Sequence, residues 1–106
     1  GEFFLGANEM RTNMVIPPPI LELARFRVEN SYKYRSILGG EMFNPSEAVK
    51  CALLDEVVEM KDLMISAREK ANDLSTMGHP SYTLTKELFI AEPLNKINAS
   101  LKDLYE

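Results

Sequence analysis

Three consecutive prolines, Pro17-Pro18-Pro19, constrain this 106-residue chain more sharply than any other feature. A proline donates no N–H and fixes φ near −65°, so the run cannot lie inside a helix or a central strand. It can begin a helix, because first-turn N–H groups lack intrahelical partners in any case. Helical spacing follows at once: Ile20, Leu23, Ala24 and Arg27, with Leu21 and Val28 on an adjacent stripe. The spacing predicts a helix from about Pro19 to Glu29.

Further along, "SYKYRSIL" at 31–38 reads as a second helix capped by Ser31. Gly39-Gly40 ends it, since glycine accepts the left-handed conformation in which helices often finish. The clearest start signal is "NPSEAVKCALLDEVV". There Asn44 can accept from the free amide of Glu47, Pro45 takes the first helical position, and Glu47 favours the positive end of the helix dipole. That helix is expected to reach about Cys51, with a short extended piece at Val57-Val58. Met60, Leu63, Met64, Ala67, Ala71 and Leu74 then form one apolar stripe at helical spacing. "STMGHPS" at 75–81 breaks it. Helix resumes near Ser81 with Leu84, Leu88 and Phe89. Pro93 is expected to kink or restart it, and Leu94, Ile97, Leu101 and Leu104 give a second narrow stripe. The chain therefore reads as mainly α, with one or two strand remnants, the first at Phe3–Leu5. So many apolar stripes on so short a chain predict faces that pack on something else.

Totals remove several function classes. The net charge of −4, with scattered Lys and Arg, argues against nucleic-acid binding. A single cysteine, Cys51, permits no intrachain disulfide, argues against a Cys-based metal site and fits a reducing compartment. No apolar run approaches the roughly 18 residues of a membrane span, and no signal-peptide pattern is present. The chain opens Gly1-Glu2-Phe3 rather than with Met, and Glu-Phe is also what a common restriction site encodes in frame. The expectation is a piece of a longer protein.

Local chemistry is sparse. No GxSxG, P-loop, HExxH or CxxC pattern occurs. His79, in a Gly-His-Pro turn, reads as a loop residue, Cys51 as a buried structural thiol, and Met60 and Met64 as core. By spacing alone Glu9 is a surface acid.

The order of the pieces changes that reading. "GANE" at 6–9, "ILELAR" at 20–25, "SILGGEMFNPSEAVKCALLDEVV" at 36–58, then "LMISAREKANDL" and "YTLTKELF" with Thr85-Lys86, together resemble the C-terminal part of the crotonase family, the enoyl-CoA hydratases and isomerases. Three positions depart from the family pattern. Asn8 stands where Pro is usual, "IPPPI" replaces a Gly-rich run, and Ala52 replaces the usual Gly before Leu-Leu-Asp.

The resemblance implies the C-terminal helical part of a spiral ββα fold. Residues 1–16 would end the core and carry the acid/base loop, and residues 17–106 would form a helical oligomerisation region. It aligns Glu9 with one of two acid/base glutamates. In hydratases that pair adds water across the double bond of a 2-enoyl-CoA thioester; in isomerases the glutamate at this position shuttles a proton between two carbons. A carboxyl in this role must lie within about 3 Å of the proton it moves, beside an apolar wall. Phe4, Leu5 and Met10 are the candidates for that wall.

The family's oxyanion hole, second glutamate and most of its CoA-binding surface come from earlier in the chain, so 106 residues alone should be inactive. The resemblance further implies a cytoplasmic enzyme built as a trimer or hexamer, with an acyl-CoA substrate and no metal or redox cofactor. The alternatives are another crotonase-type reaction, such as thioester hydrolysis or C–C cleavage, and a non-catalytic helical oligomerisation module.

Overall fold

A computed structural model describes residues 2–105. Five helices follow in order: α1 Pro18–Arg27, α2 Lys33–Ile37, α3 Pro45–Lys50, α4 Leu63–Ser75 and α5 Ser81–Tyr105. Single 3-10 turns occupy Glu9–Arg11, Asn30–Tyr32 and Met60–Asp62. Pairing between extended segments, among the described residues, is one antiparallel bridge between Leu5 and Phe43. The mainly α expectation holds, and the Phe3–Leu5 remnant survives as that bridge. Val57-Val58 is not a strand. No neighbouring segment pairs with it, and a strand exists only by pairing.

The helix starts follow from their sequences. Pro18 and Pro19 open α1. At α3, Asn44 Oδ1 accepts from the Glu47 amide at 2.9 Å, with Pro45 in the first turn. The cap of the 31–38 segment is different from the expected Ser31. Glu29 accepts the Ser31 amide at 2.9 Å, and a 3-10 turn precedes α2. Ser31 therefore donates rather than caps. Helix α5 runs through Pro93 without restarting.

The chain divides into two compact units: the described residues of Gly1–Val57 with Pro93–Glu106, and Val58–Glu92. In the first, Phe43, Ala48 and Cys51 are fully buried, and Leu5, Tyr32, Leu53 and Leu54 pack around them. Tyr32 meets Phe43 edge-on, with ring centroids 6.0 Å apart. Cys51 is a buried thiol whose Sγ donates to the Ala48 carbonyl at 3.4 Å, as its apolar setting predicts. In the second unit no residue is buried. Met60 and Met64 were expected in a core, yet Met60 is 82% and Met64 60% exposed. Their stripe is apolar but uncovered, as is Leu88 on α5.

The departure at Ala52 has a backbone consequence. Helix α3 ends with the Leu53 amide donating to Ala48 at 2.9 Å and the Ala52 amide to Val49 at 3.1 Å. These two bonds form a Schellman motif, which places the residue after the C-cap in the left-handed region. Ala52 sits there with φ 66°. A Cβ in that region costs about 1–2 kcal/mol, which a glycine avoids. Ala52→Gly is therefore expected to stabilise the protein by about 1 kcal/mol, read as a raised denaturation midpoint.

Candidate active site

Glu9 begins the 3-10 turn Glu9–Arg11, four residues beyond the bridge at Leu5. Its backbone is tied from the C-terminal side. The Glu9 carbonyl accepts from the amides of Thr12 at 3.1 Å and Met14 at 2.9 Å, and the Asn8 carbonyl accepts from the Arg11 amide at 2.9 Å. Asn13 lets the chain turn with φ 57°, in the left-handed region that asparagine tolerates better than most residues. The side chain is held differently. Glu9 Oε2 is shielded from solvent, and no protein group donates to it. A shielded carboxylate oxygen without a donor is uncommon in folded proteins. The expected apolar wall is only partly there. Phe4 is 67% exposed and Met10 is exposed, whereas Leu5 is half-buried against the core.

What fixes this loop is the segment 40–43, distant in sequence. Leu5 and Phe43 exchange both backbone hydrogen bonds, at 2.8 and 2.7 Å. The carbonyl of Glu41 lies so close to Gly6 that a Cβ there would be 2.5 Å away. Arg11 Nε donates to the Gly40 carbonyl at 2.9 Å. Gly40 itself has φ 57°, which serves the turn after α2.

Segment 40–43 is tied in turn to α2. Arg35 donates to both oxygens of Glu41, Nε to Oε2 at 2.8 Å and Nη2 to Oε1 at 2.5 Å. Its guanidinium lies 5.0 Å from the Tyr32 ring centroid and 5.7 Å from that of Phe43. The hydrogen bond from Arg35, reinforced by the charges of Arg35 and Arg11, holds the Glu41 carboxyl below the usual carboxylate range. The same bond pushes the Arg35 guanidinium further up.

The remaining candidates lie elsewhere. His79 is exposed, with Nδ1 3.2 Å from Thr83 Oγ1. Cys51 is enclosed in the core. Sequence reasoning missed Ser36, whose buried Oγ has no partner in the protein. It also missed Arg35, Glu41 and Arg11 as supports of Glu9. A groove of about 360 Å3 between α1 and α2, lined by Leu21, Arg25, Lys33, Tyr34, Ile37 and Leu38, includes no residue of the Glu9 loop.

Two outcomes follow from this scaffold. Gly6→Ala forces the Leu5 and Phe43 segments apart, because the clash is with backbone. Amide exchange at Leu5 and Phe43 should accelerate, at a stability loss of about 1–3 kcal/mol. Because the folded-state value of Glu41 is depressed, the Arg35–Glu41 contribution is fully present above the ordinary glutamate value of about 4.3 and is lost as pH falls through the lower folded value. Stability measured down through that range should drop more steeply in the native protein than in Glu41→Gln.

Neither a protein-family model nor a curated protein matches the sequence. Solved structures do. The chain is 30% identical to an enoyl-CoA hydratase/isomerase family protein from Pseudomonas syringae, with a TM-score of 0.88 over 97% of this chain and 45% of that one. It is 23% identical to an enoyl-CoA hydratase from Mycobacterium ulcerans Agy99, with a TM-score of 0.85 over 94% and 44%. An enoyl-CoA isomerase from Mycobacterium tuberculosis gives the same 23%, 0.85, 94% and 44%. The two mycobacterial likenesses speak for fold alone. The chain spans less than half the length of these structures and matches their C-terminal part. The resemblance to the crotonase family, the enoyl-CoA hydratases and isomerases, therefore holds, and the chain carries the fold of that family's C-terminal part.

Proposed function

We propose that the full-length protein is an acyl-CoA hydratase or isomerase acting on 2-enoyl-CoA thioesters, with Glu9 as one of its acid/base carboxyls. The observation that carries this reading is the Oε2 atom of Glu9, shielded and without a donor on a loop tied at both ends. In hydration, hydroxide from water bonds to the β-carbon and a proton is delivered to the α-carbon. In isomerisation, one carboxylate removes a proton from one carbon and returns it to another. Glu9 serves either course. The neighbours' names include both a hydratase and an isomerase.

The remaining machinery is assigned to residues outside this chain. Two backbone N–H groups would bind the thioester oxygen, each typically worth on the order of 10²–10³ in rate. The second carboxylate and most of the CoA surface belong there too. The chemistry calls for no metal or redox cofactor. The largely exposed stripe Met60–Leu74 and the half-exposed stripe Leu94–Leu104 would meet other subunits in a trimer or hexamer. No helix among the described residues is long and apolar enough to cross a membrane, and the proposed setting is the cytoplasm.

The same exposed stripes favour a second reading, a non-catalytic helical module that assembles with crotonase subunits. Turnover of 2-enoyl- and 3-enoyl-CoA by the full-length protein separates the two. Under the enzyme reading Glu9→Gln lowers kcat by about 10²-fold or more, and the 106-residue chain alone shows no turnover. An oligomer that neither binds nor turns over any thioester would favour the module.

A further inference from the structure

Glu9 is flanked by three anchors, and all three rest on one short segment. Leu5 pairs with Phe43, Gly6 abuts the Glu41 carbonyl, and Arg11 bonds to the Gly40 carbonyl. That segment carries no regular helix or strand of its own beyond the bridge at Phe43. Its orientation depends on α2, a helix of five residues. Arg35 is where the two join. Its side chain grips both oxygens of Glu41, its guanidinium lies over the rings of Tyr32 and Phe43, and its carbonyl accepts the Glu41 amide at 3.2 Å.

We propose that the Arg35–Glu41 pair is a positioning device for Glu9, holding segment 40–43 in the one orientation that presents the Glu9 loop to substrate. This rests on the acid/base reading of Glu9.

The pair's exposure argues for that role over simple stabilisation. Arg35 and Glu41 side chains are 49% and 34% exposed, and ion pairs so open to water add little to stability. A two-pronged guanidinium–carboxylate contact, by contrast, fixes direction as well as distance. Lysine carries the charge but not the fork, so it cannot reproduce that geometry. Direction matters at Glu9, because a misplacement of about 1 Å at a reacting group can cost on the order of 10²-fold in rate.

The test uses the full-length protein with Arg35→Met, Arg35→Lys, Glu41→Gln, Glu9→Gln and the Arg35→Met/Glu9→Gln double variant. Two readings are taken: amide exchange over residues 5–14, and kcat and KM on an enoyl-CoA. Arg35→Met and Glu41→Gln are expected to accelerate exchange about threefold to fivefold, in keeping with an exposed pair. They should lower kcat about tenfold while KM stays within about twofold. Arg35→Lys should fall with them rather than with the native protein. On the Glu9→Gln background, Arg35→Met should cost nothing further, since its effect passes through the missing carboxyl.

Unchanged exchange over residues 5–14 in Arg35→Met overturns the proposal. So does an equal loss of kcat with and without Glu9. If Glu9→Gln alone retains native turnover, the acid/base reading fails instead, and the exchange data still decide whether the pair holds the loop.

Discussion

The double hydrogen bond between Leu5 and Phe43 is the contact on which the rest of the first unit depends. It joins residues 38 positions apart, so it cannot form before the intervening chain has folded back. Once formed, it carries Leu5 onto the core of Phe43, Ala48 and Cys51. It also sets where the chain leaves for Glu9. Around it the packing leaves little slack. The Gly6 position has no room for even one more carbon, and Phe43, Tyr32 and the Arg35 guanidinium form a cluster of mutual contacts.

That core is small, and the apolar surface outside it is large. Ile16, Val28, Phe43, Ala48 and Cys51 are the buried apolar residues among those described, while Leu63, Met64, Ile65, Leu84, Leu88 and Leu104 all stand largely in solvent. Apolar patches of such extent mark places where other protein surface belongs. The two halves of the problem are solved differently. Residues near Glu9 are fixed by backbone pairing and ion pairing within the unit. The later helices keep regular, amphipathic faces that remain largely exposed.

Much of the helical framework could be read from local signals, because the physics behind it is local. Asn44, Pro45 and Glu47 announce the start of α3 within four residues, and the bond between Asn44 and Glu47 is the expected one. The proline run announces α1 in the same way. Ser31 misled because Glu29, two residues earlier, caps first: its carboxylate accepts both the amide and the hydroxyl of Ser31, which leaves Ser31 a donor inside the turn. Val57-Val58 misled because β-branched residues supply propensity but not a partner. Glu9 is singled out only by the resemblance, as nothing in its spacing distinguishes it from a surface acid. Arg35, Glu41 and Arg11 were not legible at all. Their contacts depend on the turn after α2 folding back to meet Gly6 and Arg11, a tertiary event that leaves no periodic trace in sequence.

The bridge at Leu5 and Phe43 also limits how this chain can drift in length. Strand side chains alternate between faces with a period of two, so slipping by one residue would turn Leu5 away from the core. An insertion beside Gly6 or Gly40 would shift that register or break the contacts that hold it. The break at 75–81 has no such pairing to honour, and its residues are mostly exposed. Descendants of this sequence should therefore vary in length there and keep the earlier stretch at constant count, whatever else their side chains become.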